Sequence, residues 1–484
     1  MQPHLPRVGI DRDVRRTPAL EGIGEESGSS SHVQQSCRTH VVEALHVGCR
    51  IGGQRSVEAI RVALLREERA EEAYRPAPRG QVVTGGRRGG HPATLPQRSG
   101  HTRGSHTTYR EAVHIVVLNW RDTANPEGGG SEVYIEQLAR RWAASGHRVT
   151  LVCARHPRAP NSEERYGVRI VRVGSKLTVY SQARKLLRRG ALGEVDVIVD
   201  TQNGIPFFAS WASRIPTVVL VHHVHREQWP VVYDPVRARL GWFIESKVAP
   251  RAFRRNPYVA VSEATSRELV SHGVAHESIT VVHNGTDQLA DTGARRDAAP
   301  RILVLGRLVP HKRAENVIEA AATLRHRHPG LSVAIVGDGW WAPELQRIAR
   351  RCGVDDIVEF TGHVSEEEKA RQVARAWVLA LPSLKEGWGL VVMEAASLGV
   401  PAVAYAEAGG VGESIVDGET GILVRGDVVD FTAALEVMLS DATLRDAMGK
   451  RAQRRSLDFS WEASALAFEA VLRRAVEQAR AQKS

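Results

Sequence analysis

Cysteine is scarce in this chain of 484 residues: there are four, Cys37, Cys49, Cys153 and Cys352, and none forms a CxxC pair. Neither a disulfide framework nor a cysteine zinc site is expected from such spacing. Long apolar runs are missing too. The longest are strand-sized pieces such as TVVLV, well short of the roughly 18 residues that cross a bilayer, so no transmembrane helix is expected. The amino terminus, MQPHLPRVGIDRD, lacks the apolar core of a signal peptide. Together these absences point to a cytoplasmic protein. Lysine is absent from the first 110 residues, which hold 17 arginines against 11 acids.

That imbalance accounts for most of the charge. The chain carries +10, of which +6 lies in residues 1–110 and +4 in the remainder. A basic balance raises nucleic acid or an anionic membrane as a partner. No arginine-rich helix with interleaved aromatics stands out, so no nucleic-acid partner is expected. The first 110 residues, typified by GGRRGGHPATLPQRSGHTRGSH, have little apolar periodicity and read as a disordered extension, or as translation from too early a start codon. Within them, residues 56–75 have the spacing of an isolated amphipathic helix. The DRD triplet at Asp11–Asp13 has the form of a metal-binding DxD, but in this setting it reads as chance.

From about residue 112 short apolar runs alternate with amphipathic helices. HIVVLNW, HRVTLVCA, VRIVRV, VDVIVD, TVVLVHH, YVAVS and ITVVHN read as buried parallel strands. A second series, RILVLGR, LSVAIVG, IVEFTG, WVLALP, PAVAY and GILV, begins at Arg301. SEVYIEQLARRWAASG is a representative helix, with Gly146 as its C′ residue. Such alternation argues for an α/β fold of two Rossmann-like, doubly wound domains, at 111–290 and 296–458, joined through a polar stretch near 287–300. Ligands of such sheets bind outside the carboxyl ends of the strands.

Three strand ends hold candidate site residues. Gly129 and Gly130 lie in a glycine-rich loop that opens a helix, where free N–H groups can face an anion, although such a turn is useful without any ligand. In GRLVPHKR, Arg307 ends a strand and Lys312 follows five residues on; the pair reads as a phosphate clamp or as two solvated cations. In SLKEGWGLVVMEAASLGVP, Glu386 and Glu394 flank a turn at Gly387–Gly389, and the N–H groups near Leu390 and Val391 are placed to bind phosphate. Buried helix faces rarely hold an acid without a partner, so something polar should meet both carboxylates. Sugar hydroxyls for Glu386 and a ribose diol for Glu394 fit; a general acid/base pair is the competing use.

Taken in order, GGGSE, HNGTD (Asn284–Asp287), Arg307…Lys312, VGDG at 336–339, the two glutamates eight apart and DGETG at 417–421 resemble the retaining GT-B glycosyltransferases of family 4. The resemblance covers residues 112–470. It implies that the second domain holds a nucleoside diphosphate sugar, with Arg307 and Lys312 on the diphosphate, Glu386 on the sugar and Glu394 on the ribose. Gly129 and Gly130 would close on the phosphates from the first domain. It implies no cofactor and no tightly bound metal, leaving charge to the Arg/Lys pair and helix N-termini. It implies a histidine at the end of TVVLV near the reacting carbon: His222 fits best and His223 next, since alternation turns only one inward, and a plain polar loop packing on Trp229 is the other reading.

It also implies a terminal helix at 459–484 that returns to the first domain. That domain would choose a hydroxyl acceptor, a lipid-linked or polyol glycan precursor. The helix at 181–190, with Arg184, Lys185, Arg188 and Arg189, reads either as a contact to anionic membrane on its inner face or as a solvated surface. The implied activity is retaining transfer of a hexose from GDP-mannose or a UDP-sugar, and no residue separates the two nucleotides. A transferase making a small-molecule glycoside or storage glucan is the alternative within enzymes. A catalytically silent partner subunit of the same fold is the alternative outside them.

Overall fold

The computed structural model describes residues 111–482. The extension at 1–110, its amphipathic segment and the DRD triplet lie outside the described residues. The first sheet has eight strands, ordered Ser162–Arg165 (β3), Val168–Arg172 (β4), Arg148–Cys153 (β2), His114–Leu118 (β1), Val197–Gln202 (β5), Thr217–Val221 (β6), Tyr258–Ala260 (β7) and Ile279–Val281 (β8). Every pairing is parallel except β3 with β4. The β3 segment SEER has no apolar pattern and only edge-strand pairing, so periodicity could not announce it. The second sheet is fully parallel and has six strands: Val358–Gly362 (β11), Ser332–Val336 (β10), Arg301–Leu305 (β9), Val378–Leu381 (β12), Ala402–Tyr405 (β13) and Gly421–Val424 (β14). The two sheets form the α/β, GT-B arrangement of facing doubly wound domains.

Strand interiors are buried on both sides because helices cover both faces, and this is why β1, β6 and β9 read as unbroken apolar runs. Helix Gly130–Ala144 buries Tyr134, Ile135, Leu138, Ala139 and Trp142, the stripe expected of a 3.6-residue period. Gly146 follows it at φ +90°, a left-handed residue where glycine carries no Cβ penalty.

The last helix, Trp461–Ala481, lies against helix Gly130–Ala144. Phe468 meets Trp142 edge to face at 5.3 Å, and Trp142 Nε1 donates to the Ala465 carbonyl at 3.1 Å. Two stretches of chain therefore cross between the sheets. They touch each other: Thr286 N–H donates to the Phe459 carbonyl at 3.1 Å, and a Cβ on Gly285 would stand 2.2 Å from Trp461 N. The crossing is close-packed, and the HNGTD motif at 283–287 sits in it.

Candidate active site between the two sheets

The glycine loop and the second sheet meet directly. Gly129 has extended backbone at φ −156°, and a Cβ there would stand 2.9 Å from Arg307 Nε. A Cβ on Gly130 would stand 3.1 Å from Leu390 Cδ1. These two glycines are small because a guanidinium and a helix N-terminus from the other domain lie against them. Glu132 fixes the loop: it is fully buried and accepts from Gly129 N–H at 2.7 Å. Arg307 donates through Nη1 to the Glu127 carbonyl at 3.1 Å, a hydrogen bond across the cleft. Burial there and the nearby Arg121 hold the Arg307 guanidinium below the usual arginine range. It remains a cation.

VGDG positions Arg307. Gly337 sits at φ +135°, and a Cβ would stand 1.9 Å from the Gly306 carbonyl oxygen. Leu308 N–H donates to the Asp338 carbonyl at 2.9 Å, so the loops after β9 and β10 are laced together under the arginine.

Lys312 and Glu386, expected from the sequence to meet a diphosphate and a sugar, come together at 2.5 Å as an ion pair. Glu394 also has a partner, Lys369 from helix Glu366–Arg375, whose Nζ is 2.9 Å from Glu394 Oε1. Burial alone would lower the Lys369 pKa, but Glu394 and Glu366 outweigh it and raise the value. The polar group that a half-buried helix acid demands is thus supplied by the protein, from a position the sequence does not mark. EEEKARQ offers Lys369 only as one charge among many on an amphipathic helix.

Gly389 stands before helix Leu390–Ser397 at φ +88°, and no side chain caps that helix. Leu390 and Val391 supply its first amides, which no side chain of the protein accepts from at the cap. Gly387 lies on the main chain of His222: a Cβ would stand 2.4 Å from that carbonyl oxygen.

Alternation after β6 separates the histidines. His222 is buried edge to face on Tyr134 at 5.2 Å, its Nε2 has no hydrogen-bond partner, and burial pushes its pKa down to about 3. His223 is half-buried, 3.2 Å from Gln228 Oε1 through Nε2. Burial and then the charge of His225 hold it well below the usual histidine range, and His311 adds to this from the other domain. His311, beside Lys312, is itself pushed down to about 4 by burial, Lys312 and Arg307. Glu245 anchors the histidine loop, accepting from His225 N–H at 3.1 Å and from Trp229 Nε1 at 2.7 Å.

Two further contacts join the domains. The Glu413 carboxylate accepts from Glu263 N–H at 2.9 Å and Ala264 N–H at 2.8 Å, capping helix Glu263–Ser271 from the opposite sheet. Lys385 pairs with Glu268. Nothing in the sequence distinguishes these side chains from ordinary surface charges.

Residues 287–455 match the model described as glycosyl transferases group 1, and residues 128–288 match that described as glycosyltransferase family 4. The chain is 32% identical over 414 residues to a D-inositol 3-phosphate glycosyltransferase of Kribbella flavida, covering 76% of this chain and 95% of that protein. It is 29% identical over 362 residues to a GDP-mannose-dependent alpha-(1-6)-phosphatidylinositol monomannoside mannosyltransferase of Mycolicibacterium smegmatis, covering 70% and 92%. Among solved structures, sucrose-phosphate synthase from Thermosynechococcus elongatus superposes with a TM-score of 0.63 at 20% identity, covering 75% of this chain and 98% of that one.

Proposed function

The chain belongs to the group 1 glycosyltransferases of family 4, and from that premise we propose that it transfers a hexose from a nucleoside diphosphate sugar to a hydroxyl of a polyol or lipid-linked precursor, with retention at the anomeric carbon. The observation that carries this reading is the meeting of Gly129, Gly130, Arg307 and the Leu390 helix N-terminus at one point between the sheets. Two cations and a helix end at the carboxyl edges of two sheets suit a diphosphate whose charge grows as the sugar departs. On this reading no metal is needed, and Lys312 exchanges Glu386 for the diphosphate as Glu386 turns to the sugar. Glu394 keeps Lys369 on one oxygen and takes the ribose diol on the rest of the carboxylate. On this reading one of His222 and His223, at the end of β6, stands near the reacting carbon, and the leaving phosphate takes the acceptor proton on the same face.

The relatives named for D-inositol 3-phosphate and for phosphatidylinositol monomannoside support an inositol-bearing acceptor, and the second supports GDP-mannose as donor. Arg121 and Lys176, each over the Trp120 ring near the end of β1, are cations suited to an acceptor phosphate. The test is incubation of the enzyme with labelled GDP-mannose or UDP-glucose and either inositol phosphate or an inositol phospholipid, with the anomeric product read by NMR. Label in an α-linked inositol product is expected. Transfer to water alone from every donor, or an inverted product, would overturn the reading.

A further inference from the structure

Helix Pro235–Phe243 is packed inside out. Its buried residues are the small ones, Ala238 and Gly241, and a Cβ on Gly241 would stand 2.4 Å from the Trp229 ring. Its large apolar residues face solvent: Val236 is 74% exposed, Leu240 58% and Phe243 57%. Positions i, i+4 and i+7 form one stripe, here opposite the buried face. Arg237 and Arg239 flank it, and Val231 and Val232, immediately upstream, extend the apolar surface. Residues 226–255 hold seven Arg or Lys against three acids, one of them the buried Glu245. That net of +4 equals the whole charge of the chain outside residues 1–110.

We propose that this stripe and its basic border dock the enzyme on an anionic lipid surface. A monomer seldom presents such a contiguous apolar face without an occupant. Charge selects the occupant: the extension at 1–110 carries +6 and a second copy would present the same cations, so both meet a like-charged border, whereas anionic headgroups complement it. The helix at Val179–Arg188 is the weaker candidate, because its apolar face, Val179, Ala183 and Leu187, is spent on the core. Docking also has a consequence for the cleft. Glu245 ties this segment to His225 and Trp229, so the docked segment and the loop bearing His222 and His223 are mechanically linked. This rests on, and deepens, the lipid-borne form of the acceptor reading.

The test is flotation of the full chain with vesicles of phosphatidylcholine alone or with phosphatidylglycerol, without donor or acceptor, so that failed binding and failed transfer are told apart. The wild type is expected to float only with anionic vesicles and to be released by salt. Val236→Ser/Leu240→Ser/Phe243→Ser should weaken binding more than tenfold with an unchanged melting temperature, because the side chains are exposed. Arg237→Ala and Arg239→Ala should each weaken it about fivefold. Full flotation of the triple variant would assign binding to the basic extension instead and overturn the proposal. So would a wild-type dimer, seen by sedimentation, that the same substitutions dissolve.

Discussion

At the scale of the residue, the proposed site holds two carboxylates, each with a lysine partner. If Glu394 receives a ribose diol while Lys369 holds Oε1, Glu394→Gln loses charge-assisted bonds and turns an amide toward Lys369. Donor affinity should fall by about 1.5–3 kcal/mol, and the loss should shrink sharply with a 2′,3′-dideoxy donor. A general acid/base role would show differently, as a missing limb in the pH–rate profile with affinity unchanged. Arg307→Ala or Lys312→Ala should lower turnover by roughly 10²–10³, the size of one lost transition-state charge contact; near-normal turnover in both would remove them from the mechanism. Residue types and order were enough to single out Arg307, Lys312, Glu386 and Glu394 as a set. The Lys312–Glu386 and Lys369–Glu394 ion pairs were not legible, because their members are 74 and 25 residues apart and only the fold brings each pair together.

At the scale of the element, the glycine loop meets Arg307 and the Leu390 helix across the cleft, and the proposed donor site rests on that meeting. Gly129 has backbone that any residue adopts, so Gly129→Ala should fold normally, yet its methyl group would press on the Arg307 guanidinium. A tenfold or greater loss of donor affinity with little change in melting temperature is expected; equal affinity would mean that the loop does not close on the donor. Gly389→Ala differs, because φ +88° strains any Cβ, and it should cost about 1 kcal/mol of stability as well. Strand positions were readable from short apolar runs, since β-branched residues buried on both faces leave no polar interruption. The edge strand β3 and the inside-out helix at Pro235–Phe243 were not. One has no apolar pattern, and the other has a pattern whose outward orientation only the packing of Ala238 and Gly241 reveals.

At the scale of the whole molecule, the two sheets are held by the crossing at Gly285 and Trp461, the Glu413 cap and the returning helix. Phe468→Ala should destabilise the chain by about 3–5 kcal/mol, because its ring fills the contact with Trp142; chemical denaturation would measure it. Acid should weaken the molecule through the cleft histidines. His222 and His311, with folded pKa values of about 3 and about 4, stay neutral where the unfolded chain, near 6.5, takes up protons. Their contribution is therefore complete above about pH 6.5 and is lost as pH falls through about 4 for His311 and about 3 for His222. Asp200 opposes them: burial raises its folded pKa to about 6, so in the same window the native state binds a proton the unfolded state has released. His311→Gln should flatten the acid limb of stability against pH; an unchanged slope would show that His311 is solvated.

The central claim, a nucleotide-sugar donor held between Gly129, Arg307 and the Leu390 helix, is tested most directly by calorimetric titration of the full chain with GDP-mannose and UDP-glucose, set beside Arg307→Ala and Glu394→Gln. Saturable binding of at least one donor is expected within the range usual for enzyme substrates, weakened tenfold or more in both variants. Absence of binding by any nucleoside diphosphate sugar, or equal affinity in wild type and both variants, would contradict it.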